Sequence, residues 1–195
     1  MTSADLVRVI EKESRQLAKG LAEEMTANLG TSHYRRLKTE ELYQRIEAAY
    51  RLLARWLTTG NETEVREVNE GIGRARFEEG IPLGQVVLAL ILAEKHLWDY
   101  LQDRGWRSQD GKGEAGVRRA VTEFYEKAVH STGRGYEVRL AESNRLARRA
   151  VAGQPEAVAA VSSSASKLPP SKASAANILS DLEVSRGGQV GEFGG

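Results

Sequence analysis

The side chains of this sequence best suited to hold a metal ion are its three histidines, His33, His96 and His130, and their placement argues against that use. They are far apart in sequence, and no two share a spacing that would bring both imidazoles to one helix face. The chain has no cysteine, which removes disulfides, thiol catalysis and thiolate metal sites and fits a reducing, cytoplasmic setting. Nucleotide and acyl-transfer chemistry lack their usual motifs. There is no Gly-x-x-x-x-Gly-Lys, no Gly-x-Ser-x-Gly and no His-Glu-x-x-His. Gly71 and Gly73 are followed by Arg76 where a dinucleotide fingerprint needs a third glycine. The expectation is a chain without enzyme activity, and without a metal or cofactor.

Two charged residues stand out because they fall on apolar faces. Glu94 lies between Leu90 and Leu97 on a strongly apolar helical stretch, where an unpaired carboxylate is costly or takes up a proton. Arg76 lies within the apolar face of the preceding helical stretch. Pairing the two fails on length: at 1.5 Å per residue Arg76 is about 7 Å from the intervening turn and Glu94 about 20 Å. Glu94 is expected instead to meet a base from another helix, or to serve as the polar handle of a sensory pocket. A carboxylate at the rim or in a local ion pair is the plainer reading and the preferred one.

Basic residues gather in two places, Arg35-Arg36 and the run Arg134, Arg139, Arg145, Arg148 and Arg149. Glu137 and Glu142 dilute the second, and no aromatic stacking platform accompanies either, so a solvated helix face is expected rather than a nucleic-acid surface. The whole chain agrees: 28 Lys and Arg against 27 Asp and Glu leave a net charge of +1, too little to draw it to nucleic acid or anionic lipid.

Five helices must position these groups. Leu6, Val9, Ile10, Leu17, Leu21 and Met25 recur at helical spacing, and Thr2 with Asp5 forms a capping pair, so the first helix runs roughly from Ala4 to Asn28. Thr39 is the expected cap of the second, which buries Leu42, Ile46, Ala49, Leu53, Trp56 and Leu57 and stops at Gly60. Asn61 with Glu64 caps the third. Its apolar face is Val65, Val68, Ile72 and Ala75, and the interior glycines Gly71 and Gly73 suggest a close helix contact or a flexible element.

Gly80 can take the left-handed conformation that ends a helix, and Pro82 suits the first turn of the next. The fourth helix places Leu83, Val87, Leu90, Leu97 and Leu101 on one face, with Leu88 and Leu92 roughly opposite. It is therefore either central or shared between the core and a partner. A fifth helix carries Val117, Val121, Phe124 and Ala128 and continues past Gly133 and Gly135 to about Val151. Strand signals are nearly absent. The predicted fold class is all-α, a globin-like or up-and-down bundle of about five helices.

The stretch from Gly73 to Leu101 resembles a known family. Gly73, Arg74 and Arg76, then Glu79, Gly80, Ile81, Pro82 and Leu83, then a helix closing with Leu97, Trp98 and Leu101, are similar to the N-terminal domain of the RsbT co-antagonist proteins. This RsbRD-type regulatory domain is also found ahead of some histidine kinases. His33 to Leu37 followed by Glu40 and Glu41 resembles the same family's connection after its first helix. The resemblance covers roughly the first 150 residues and implies a helical sensor domain, usually dimeric, that regulates an attached or bound signalling module. Taken with the helix-face readings above, it leaves Arg74, Arg76, Glu94, His96, Leu88 and Leu92 as the candidate sensory or interface residues. It also raises haem as a ligand of His96, but that residue lies off the Leu83 to Leu101 stripe, near Ala89 and Leu92, and is expected to be a polar or interface histidine.

The organisation expected is a helical domain over residues 1–151 and a disordered tail over 152–195, rich in Ser, Ala, Gly and Pro. Within the tail, residues 174–184 could form a short helix whose Ile178, Leu179 and Leu182 dock in a groove. The tail is too short and polar for an output module, so signalling is expected to pass through another polypeptide. The N-terminus carries Asp5, Arg8, Glu11 and Lys12 in place of a signal peptide's apolar run, and Val86 to Ala93 is too short to span a bilayer. The partners expected are a second copy of the chain and a kinase or anti-sigma type protein, with neither nucleic acid nor membrane.

Overall fold

The capping pair at the start of the chain forms as its spacing predicts. The Asp5 amide donates to the Thr2 hydroxyl at 3.2 Å while the Thr2 amide donates to the Asp5 carboxylate at 2.9 Å, and α1 runs Ser3–Ala27. The computed structural model describes residues 2–105 and 111–152, and the unit described below ends at Arg148. The tail from 153 and its candidate docking motif Ile178, Leu179 and Leu182 lie outside the described residues. Among those that are described, the chain is all-α: a short 3-10 segment, Leu29–Arg36, follows α1, and then come α2 (Thr39–Thr59), α3 (Glu62–Glu78), α4 (Leu83–Asp103) and α5 (Gly111–Ala152). No helix among them is long and apolar enough to cross a membrane.

The connections explain the path. At the end of α1, Arg35 reaches back and donates to the Thr26 and Ala27 carbonyls at 2.6 and 3.3 Å, supplying both hydrogen bonds and positive charge to a helix C-terminus. Thr31, fully buried, donates to the Met25 carbonyl at 2.6 Å and pins the 3-10 segment under α1. The second helix departs from expectation at its start. Thr39 is its first residue and not its cap; Lys38 holds the cap position and makes no side-chain capping bond. Glu40 and Glu41 in the first turn complement the helix dipole instead.

Gly60 ends α2 in the left-handed region at φ 62°, and Gly80 does the same after α3 at φ 68°. At the second of these the Ile81 amide reaches the Arg76 carbonyl and the Gly80 amide the Phe77 carbonyl, both at 3.0 Å. This paired return closes a helix with its following apolar residue folded inward, and Ile81 is buried. Pro82 then caps α4 rather than occupying its first turn.

The core lies between α1, α2, α4 and the first half of α5, where Leu6, Ile10, Leu17, Leu21, Leu53, Leu97, Leu101 and Val121 are sealed from solvent. Two side-chain bonds tie the layers: the Tyr50 hydroxyl donates to the Ala93 carbonyl and the Trp56 indole to the Ala120 carbonyl, each at 3.1 Å. The α4 stripe is rotated from its expected position, with Val86, Leu92, Ala93, Leu97 and Leu101 buried. Leu83, Val87 and Leu90 are only half-buried, and Ile91 is 54% exposed.

The third helix also turns a different face. Val68 is exposed and Ala75 half-buried, while Val65, Asn69 and Gly73 are buried. The reason is α5, whose backbone comes so close at Gly73 that only a residue without a side chain fits. Gly71 meets nothing within 4 Å, so of the two interior glycines one serves a close contact and the other none.

Candidate functional site

The turn between α3 and α4 brings together charges that the sequence separates. Arg76, with its side chain only 12% exposed, donates to Glu79 at 2.8 Å, and Arg45 of α2 donates to the same carboxylate at 2.9 Å. Arg45 also pairs with Glu41 one turn earlier on α2. Burial pushes the Glu79 carboxyl up, but the hydrogen bonds and charges of Arg45 and Arg76 prevail and hold it below its usual range. The Arg45 guanidinium is correspondingly raised, chiefly by its bond to Glu79. Burial raises the hydroxyl of Tyr34 against the opposing pull of Arg76, which faces it.

Beneath this cluster lies a cavity of about 80 Å³. Met25, Ile46, Ile72, Val86 and Leu90 give it apolar walls, and Tyr34, Arg45 and Arg76 supply its polar edge. All four of α1 to α4, and the 3-10 segment, contribute to it. It is an apolar recess closed on one side by a locked, internally neutralised ion cluster.

The other candidates lie elsewhere. Arg74 is half exposed on the outer side of α3 and pairs with Glu70 at 3.6 Å, away from Arg76. Among the described residues Glu94 meets neither a base nor Arg76: it accepts from the Thr122 hydroxyl of α5 at 2.8 Å. Leu92 is buried in the core. Leu88 packs on Gly30, where a Cβ would come within 2.5 Å of its Cδ2. Nearby, the Gln85 side chain accepts from the His33 amide at 2.9 Å and links the 3-10 segment to α4.

His96 faces α1. Its Nδ1 lies 3.2 Å from Glu24, and its Nε2 is buried without a hydrogen-bond partner. A Cβ built on Gly20 would lie 2.8 Å from both Cε1 and Nε2, so the imidazole edge that would ligate iron rests on the α1 backbone. Further along the same interface Glu13 accepts from the Tyr100 hydroxyl and pairs with Arg104 at 2.6 Å, and the Arg104 guanidinium sits over the Tyr100 ring at 4.3 Å. Burial, together with the bond to Glu13, lifts the Tyr100 hydroxyl to about 12. Among the described residues no group of three or more His, Cys, Asp or Glu is arranged to hold a metal ion.

Tyr34 and Arg45 carry no mark in the sequence pattern that assigns them to this cluster, and Glu79 enters it only as part of the helix stop. Arg76 and Glu79 at i and i+3 beside the Gly80 stop were a usable signal for one half of the cluster. Nothing in sequence pointed to Arg45, which arrives from another helix.

The described unit is thus all-helical, with an ion cluster that ties α2 to the end of α3. The family model for the RsbT co-antagonist protein RsbRD N-terminal domain matches residues 15–151, and the chain belongs to that family of regulatory signalling domains. No curated protein and no solved structure matches the chain.

Proposed function

We propose that the chain is a non-catalytic regulatory domain that self-associates and passes a signal in trans, by contact with a kinase or anti-sigma type protein in a bacterial cytoplasmic stress pathway. The observation that carries this is the family match over residues 15–151. The structure supports it in one further respect. The charged groups at the α3–α4 turn are committed to one another, as an ion cluster that fixes the angle between two helices would be. Glu79 is the residue through which a change at this turn would be felt by both α2 and α3, since it accepts from Arg45 and from Arg76.

Affinity capture with the full-length chain, read by mass spectrometry alongside sedimentation of the pure protein, tests this. A stable dimer that captures one signalling protein is the expected result. A monomer that captures none, or turnover of any substrate, would remove the proposal.

The cavity of about 80 Å³ favours a second reading, in which a small ligand within the helices is the signal. Arg76 and Tyr34, and not Glu94, would be its polar handles. A co-purifying small molecule that raises the melting temperature, and does so less in Arg76→Leu, would favour this reading over the first.

A further inference from the structure

A groove of about 470 Å³ runs between α4 and α5 and shares Leu90 with the cavity beneath the ion cluster. Its walls are Leu90 and Ile91 on one side and Tyr125 and Val129 on the other. Ile91 is more than half exposed at the middle of α4, the most apolar of the described helices. Glu94, Glu126 and His130 supply its polar edge, two carboxylates against one imidazole. Among the described residues no Lys or Arg lies within ion-pairing distance of either carboxylate: Lys95, next to Glu94, is engaged with Asp99 and Glu24, and Lys127, next to Glu126, with Glu62 and Glu123.

We propose that this groove receives a basic amphipathic helix from another protein. The inference rests on the contact-in-trans reading above and names the surface and the chemistry of what it binds. Two packed helices offer a guest no free backbone donors or acceptors, so the guest must satisfy its own main chain, and a helix does so. Apolar side chains at i, i+3 or i+4, and i+7 cover Ile91, Leu90 and Val129, removing from water the largest apolar side chain α4 leaves exposed. Lysine or arginine on the flanks meets Glu94 and Glu126, which sets orientation and discriminates against acidic helices. Glu94 keeps its Thr122 bond in the complex, since a carboxylate has acceptor capacity to spare.

The test uses the full-length protein and three labelled 18-residue peptides, read by fluorescence anisotropy at physiological salt. One carries a leucine stripe flanked by Lys and Arg, the second replaces those cations with Glu, and the third replaces the leucines with Ser. The proposal expects saturable binding of the first, at least tenfold weaker binding of the other two, and at least tenfold loss in Ile91→Asp. The double variant Glu94→Gln with Glu126→Lys should abolish the preference for the basic peptide. Circular dichroism checks each fold, with Ile91→Ser as substitute should Ile91→Asp unfold. Equal binding of basic and acidic peptides, indifference to Ile91, or no saturable binding overturns the proposal. So does an Ile91→Asp variant that turns a dimer into a monomer, which would give the groove to a second copy while leaving the contact reading intact.

Discussion

Gly73 of α3 and Gly135 of α5 form a reciprocal crossing. A Cβ at Gly73 would lie 2.0 Å from the Thr132 carbonyl oxygen, and one at Gly135 would lie 2.0 Å from that of Glu70. Each helix thus presses its backbone onto the other, with Phe77 and Tyr136 edge to face at 5.3 Å beside the contact. Asn69 and Thr132 share a buried hydrogen bond of 3.4 Å across it.

The crossing yields the first prediction. Gly73→Ala and Gly135→Ala should each destabilise the fold by about 1–3 kcal/mol, because the clash is with backbone and outweighs the gain in helix propensity of ~1 kcal/mol. Gly71→Ala, which meets nothing, should be neutral or stabilising by up to ~1 kcal/mol. Chemical denaturation of the three variants checks the sign at each position. Equal effects at Gly71 and Gly73 would dismiss the close contact.

The second concerns the ion cluster. Glu79→Gln leaves two guanidiniums facing each other with their shared counter-charge removed, and should cost about 1–2 kcal/mol, discounted because Glu79 is 29% exposed. The wild-type pH dependence follows from the sign of the shift. The folded state holds Glu79 below its ordinary value of 4.5, so its contribution is complete above that value and is lost as pH falls through the lower folded value. Melting temperatures between pH 3 and 6 should therefore converge for wild type and Glu79→Gln at the acid end. Parallel curves would refute the role.

A third prediction addresses His96. Iron coordinated by imidazole needs a metal about 2 Å from the ligating nitrogen, and the Gly20 backbone fills that space at Nε2. Haemin added to the purified protein should give no Soret band that depends on His96, as judged against His96→Ala. A band present in wild type and lost in that variant would require α1 to move aside. In the same interface Gly20→Ala should destabilise by about 1 kcal/mol or more, since the His96 ring is held by Glu24 and has little room to yield.

Much of the framework was legible because it is written in local chemistry. Thr2 with Asp5, Asn61 with Glu64 and the Gly80 stop each act within a few residues, and all appear where their spacing placed them. What depends on a second helix was harder to read. The glycine at 73 signalled a close contact, but not that α5 would rotate α3 to bury Asn69 and expose Val68. Glu94 was rightly separated from Arg76 by helix rise, yet its partner is a threonine hydroxyl, for which an apolar-face argument has no marker. Arg45 reads as a solvated residue on α2 until Glu79 comes to meet it.

The fifth helix is unbroken from Gly111 to Ala152, and its glycines all keep helical geometry. By Arg148 it has travelled roughly 20 Å beyond the crossing at Gly135, at 1.5 Å per residue. A continuous helix carries no turn between the crossing and Arg148, so a shift of α5 at Gly135 would be passed along its axis toward that residue.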